Sequence, residues 1–155
     1  MESDIEVQPG QILKVFSRDQ TNRFVQEWMN IFCQNKQGAN TKSYKWHIFS
    51  YEKYPAISGE KALTKYKEQL AAEYIVLSNE NELAILTNKL PESCDLSDYY
   101  VFPNNFAWTM AFTHEDGWYG PYFAKHPEYD FLVQENLKGL KKQQEIEKAK
   151  ENGWV

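Results

Sequence analysis

Apolar residues recur at helical spacing over residues 20–33, where Phe24, Val25, Trp28, Met29, Ile31 and Phe32 predict one buried face and Ser17, Asp19 or Thr21 can cap its start. A polar loop over 35–40, with Gly38 inside it, ends that helix. Over 45–51 the period changes to an alternation, with Trp46 and Ile48 on one side and His47 and Phe49 on the other, which predicts a strand carrying aromatics on both faces. After Pro55, Ser58 can cap a second helix running to about residue 72, with Ala62, Leu63, Tyr66 and Leu70 as its stripe. Residues 74–77 and 83–86 bracket Asn79-Glu80-Asn81 as a hairpin. Residues 99–102 and 106–112 predict strands joined through Pro103-Asn104-Asn105. Asp116-Gly117 then turns the chain so that 118–123 returns as an edge strand blunted by Gly120-Pro121. Beyond Pro127, Phe131, Leu132, Leu137, Leu140 and Ile146 sit among many Lys, Glu and Gln, predicting a helix whose last turns project into solvent and end at Gly153.

This order predicts a single α+β domain over residues 1–155, a mostly antiparallel sheet of about five strands with the helices grouped on one face. Residues 1–19 are a polar lead-in in which 12–16 form a short strand or simply lead in, and 127–152 are a C-terminal helical extension. At 155 residues, folding buries roughly 70% of the unfolded chain's surface, so neither disulfides nor metal are needed for a core. Cys33 and Cys94 are expected as two reduced thiols. The acidic start, Met1 to Glu6, lacks the basic and apolar runs of a signal peptide, and no stretch approaches a membrane span, so a cytoplasmic protein is expected.

Net charge is −5, from 22 acidic residues against 17 Lys and Arg, which disfavours a phosphate-binding face and suits a basic partner. With Arg18 and Arg23 the only arginines, nucleic acid is not an expected ligand. His47, His114 and His126 with Glu115 and Asp116 raise the question of a metal, but they lack the close pairs of zinc sites, and no metal is expected. Acid-base work by His114 with Glu115 or Asp116 is the better enzymatic reading, although successive strand residues point to opposite faces. Nucleophile-elbow and phosphate-cradling motifs are absent, and no cofactor is expected. Five Trp, ten Tyr and nine Phe exceed the needs of a small core; Trp118, Tyr119 and Tyr122, beside a turn and a Gly-Pro break, are expected at the surface.

The run W-H-I-F-S-Y-E-K at 46–53, together with T-H-E-D-G-W-Y-G-P-Y-F at 113–123, resembles a small family of uncharacterised bacterial proteins of unknown function, with a W-H-x-F-S block and a C-terminal G-P-Y-F block. The resemblance covers roughly Phe24 to Phe123. It implies a compact, bacterial-type cytosolic α+β domain and carries over no catalytic residue.

Two functional expectations compete. The first is a non-catalytic binding protein, above all an immunity protein that neutralises a cognate bacterial toxin by covering a basic surface with Glu115, Asp116, Trp118, Tyr119 and Tyr122. The second is a small enzyme or ligand-binding domain using His47 and His114 across adjacent strands with Glu115 and Asp116. A blander third is an oligomeric scaffold in which the last helix pairs with a second copy.

Overall fold

A computed structural model describes residues 6–33, 45–50, 52–96, 98–113 and 121–153. In these residues the chain runs β1 (Val7–Gln8), β2 (Ile12–Val15), α1 (Arg18–Phe32), α2 (His47–Ser50), β3 (Ile57–Ser58), α3 (Gly59–Lys67), β4 (Tyr74–Ser78), β5 (Ala84–Thr87), β6 (Ser93–Cys94), β7 (Tyr99–Pro103), β8 (Trp108–Phe112), β9 (Tyr122–Lys125) and α4 (Tyr129–Glu151). The main sheet has seven strands in the order β2-β5-β4-β7-β8-β9-β3, against the expected five or so, and β1 pairs with β6 in a small separate ladder. Every pairing is antiparallel, as expected.

The central strands explain the architecture. All five residues of β4 and all five of β7 are buried, so neither face of the sheet can meet water. Ile75, Leu77, Tyr100 and Phe102 point into one core, closed by Trp28 and Phe32 of α1 and Ile48 and Phe49 of α2. Tyr74, Val76, Tyr99 and Val101 point into the other, closed by Ala62 and Tyr66 of α3 and, at its margin, by Tyr129, Leu132 and Val133 of α4. The expectation that the helices share one face is therefore corrected: two unbroken apolar strands demand cover on both sides.

Local signals set the helix ends. Ser17 and Gln20 form a reciprocal capping box, in which the Gln20 N–H donates to Ser17 Oγ at 3.2 Å and the Ser17 N–H donates to Gln20 Oε1 at 3.2 Å. Helix α3 stops at Lys67 rather than near residue 72. The amides of Glu68 and Gln69 reach back only three residues, to Lys65 and Tyr66, tightening the last turn, and Leu70 is left 55% exposed instead of packing. Ser58 is the N-cap residue of α3, but its side chain makes no capping bond. Helix α4 buries none of its residues fully, in keeping with its polar sequence, and Gly153 ends it with φ +73°. Strand β9 is not the edge, because β3 pairs along its outer side. The expected loop at 35–40 and the final Trp154-Val155 lie outside the described residues.

One buried polar contact ties α1 to the sheet. The Trp28 indole N–H donates to Thr109 Oγ1 at 2.8 Å, and both side chains are fully buried. Thr109→Val keeps the shape but leaves that N–H without its acceptor, and the expected loss is about 2 kcal/mol in a urea unfolding titration.

Candidate functional site

The segment expected as a strand is not one over its described residues, 45–50. The amides of Phe49 and Ser50 donate to the Trp46 carbonyl and that of Ile48 to Lys45, which makes the short helix α2. Trp46, Ile48 and Phe49 are all buried while His47 is half-exposed, so the apolar positions share one side, as a helical turn requires and an alternating strand does not. The Trp46 backbone N–H donates instead to the Tyr100 hydroxyl at 3.0 Å.

The two aromatic blocks meet in the core. The Trp46 and Tyr122 rings stack with centroids 6.2 Å apart and planes 22° apart, and Phe49 lies 6.0 Å from Tyr122. Tyr122 is therefore only 7% exposed, which corrects its expected place at the surface: its phenyl ring fills space that α2 leaves above β9. The Trp46 indole N–H donates to Asp98 Oδ2 at 2.8 Å. Asn79 completes the cluster, accepting from the Tyr100 hydroxyl at 2.7 Å on Oδ1 and from the Lys45 ammonium at 2.8 Å on its backbone oxygen.

Lys45 is the unusual member of this group. Its side chain is 3% exposed and its ammonium lies 5.1 Å over the Tyr100 ring. Burial lowers its pKa from 10.5 to about 8, against the opposing fields of Cys33 and Glu80. Tyr100, wholly enclosed, is pushed well above the usual phenol range by the same desolvation. One hint of this cluster is legible along the chain, a lysine directly before Trp46 at the edge of an aromatic run.

The expected site residues divide into two groups. His47 sits at the start of α2 with its ring 4.6 Å from that of Trp46, not on a strand, so a pair of histidines on adjacent strands does not form as envisaged. His126 accepts from the Glu128 amide on Nδ1 at 2.9 Å and shapes the turn into α4. His114, Glu115, Asp116, Trp118 and Tyr119 lie outside the described residues. Among the described residues, no three His, Cys, Asp or Glu side chains are grouped to hold a metal, and Cys33 and Cys94 form no disulfide.

The two residues that flank 114–120 are both described. Thr113 is 7% exposed at the end of β8, and Pro121 is buried just ahead of β9, where its carbonyl accepts from the Gly59 amide at 3.0 Å. They lie at the end of the sheet that also holds Asp98, Asn79 and Tyr122, as the pairings Tyr99 with Phe112 and Ala111 with Tyr122 require.

This arrangement joins both aromatic blocks into one structural unit, and a family model describes the same stretch of chain: residues 11–123 match a domain of unknown function, DUF4275. The chain belongs to the DUF4275 family. The matched region runs from β2 into β9, so in this member of DUF4275 helix α4 lies beyond the family match. No curated protein and no solved structure matches the chain. No helix among the described residues is long and apolar enough to cross a membrane.

Proposed function

We propose that this DUF4275 protein is a non-catalytic binding protein of the immunity type, which neutralises a basic toxin domain through Glu115, Asp116, Trp118 and Tyr119. The observation that supports the reading is the anchoring of the segment that carries them. Thr113 and Pro121 are both buried, and Tyr122 next to Pro121 is packed between Trp46 and Phe49. A seven-residue connection, 114–120, with two carboxylates and two large aromatic rings thus springs from fixed feet at one end of the sheet. Fixed feet reduce the ordering cost of association, and aromatic residues close in sequence to carboxylates suit a basic surface. Tyr122 drops out of the contact set and becomes part of the support. The net charge of −5 favours the same kind of partner.

The test is a capture of the tagged chain from its host's lysate together with the products of the neighbouring genes, washed at low and at moderate salt. A basic partner should be retained and should weaken with salt. The double substitution Glu115→Lys with Asp116→Lys should then weaken the purified complex at least tenfold with no change in melting temperature. An equally tight complex with the double variant would exclude this surface, and no partner at either salt would exclude the function.

A further inference from the structure

A cleft of about 740 Å³ opens between the segment leading into β3, helix α3, the last residues of β9 and the turn before α4. That volume falls within the roughly 300–1,000 Å³ of clefts that hold small organic ligands. Its described walls are largely apolar, among them Pro55, Ile57, Phe123 and Pro127, and Ile57 is left 40% exposed there. The charged residues among those walls are Lys65 and Lys125. Both ammonium groups lie over the ring of Tyr129, 5.8 and 4.7 Å from its centroid. Two like charges are thus gathered on one aromatic ring beside an apolar chamber, in a chain whose net charge is −5. The Lys65 contact with Glu68, 3.6 Å long, is a partly exposed surface pair of the kind worth little, and it leaves that ammonium available.

We propose that this cleft binds a small amphiphilic carboxylate, its apolar body lying against Pro55, Ile57, Phe123 and Pro127 and its head group held by Lys65 and Lys125. The charge of the rim selects an anion, and the walls select an aliphatic or aromatic body. The cleft is preformed: the Tyr54 hydroxyl donates to the Lys125 carbonyl, tying the segment ahead of β3 to β9. Preformed walls lower the ordering cost of binding. Lys125 lies at the end of β9 far from Pro121, paired with Trp108, and Ile57 pairs with Phe123.

The experiment is a calorimetric titration of the full chain with decanoate below its micellar range, and with decyltrimethylammonium as a probe of equal chain length and opposite charge. Decanoate should bind saturably and at least tenfold more tightly than the cationic probe. Lys65→Gln with Lys125→Gln should weaken decanoate at least tenfold while the circular-dichroism spectrum is retained. No saturable decanoate binding, or less than a tenfold difference in either comparison, overturns the proposal. The two-probe comparison uses the unaltered chain, and it decides the matter even if the double variant folds poorly.

Discussion

Trp46→Ala should destabilise the protein by about 4 kcal/mol, because truncating a large buried aromatic removes its transfer energy and leaves a cavity. The ring is 1% exposed, stacks on Tyr122, touches His47 at 4.6 Å and donates its N–H to Asp98. Few other substitutions remove packing and a buried hydrogen bond together. Trp46→Phe retains most of the packing and should cost about 2 kcal/mol, chiefly for the donor withdrawn from Asp98. Urea titrations at neutral pH read both effects as shifts in midpoint at constant slope. Because Trp46 and Tyr122 are in contact, the double variant with Tyr122→Ala should lose less than the sum of the two single losses. A loss below about 1 kcal/mol for Trp46→Ala would mean that the junction of the two aromatic blocks does not hold the fold together.

Strands β4, β5, β7 and β8 were legible because they are apolar and short and are separated by turn chemistry, whereas the two-residue strands β1, β3 and β6 are too short for any period to show. The hairpin of β4 and β5 about Asn79 to Asn81 and the strands β7 and β8 stand where the sequence places them. So does α1, with Ser17 as its cap. Residues 45–51 failed because a four-residue helix spans barely one turn, too little for period 3.6 to separate from period 2. The two-sided cover of the sheet was present in the unbroken run Tyr74-Ile75-Val76-Leu77, which alternates with no polar residue. Tyr122 was misjudged on local grounds: a Gly-Pro break marks where a strand begins, not how its first ring is covered by α2, which is distant in sequence. The cleft lysines, Lys65 and Lys125, come together only through the pairing of β3 with β9 and the return of α4, so no spacing along the chain could announce them.

Lys45 gives the stability of this protein an unusual dependence on pH. In the folded state its ammonium loses its proton near pH 8, whereas in the unfolded chain it does so near 10.5. Between those values the unfolded state binds more protons than the native state, so stability rises with pH, by roughly 3 kcal/mol across the interval. Below pH 8 both states are protonated, and the full cost of burying the charge is present. The tyrosines act in the opposite sense at higher pH. Burial raises the phenols of Tyr66, Tyr99 and Tyr100, so above pH 10 the unfolded chain sheds protons that the native chain retains, and stability falls again. Urea titrations should therefore show a climb beginning near pH 8 and a turnover past pH 10. Lys45→Met separates the two contributions: it removes the ammonium and its 2.8 Å bond to the Asn79 carbonyl but leaves the aliphatic volume in place. The variant should lose the climb, keep the fall above pH 10 and be at least as stable as the parent at pH 7. Parallel profiles for parent and variant between pH 7 and about 9.5 would show that Lys45 keeps an ordinary affinity for its proton in the folded state.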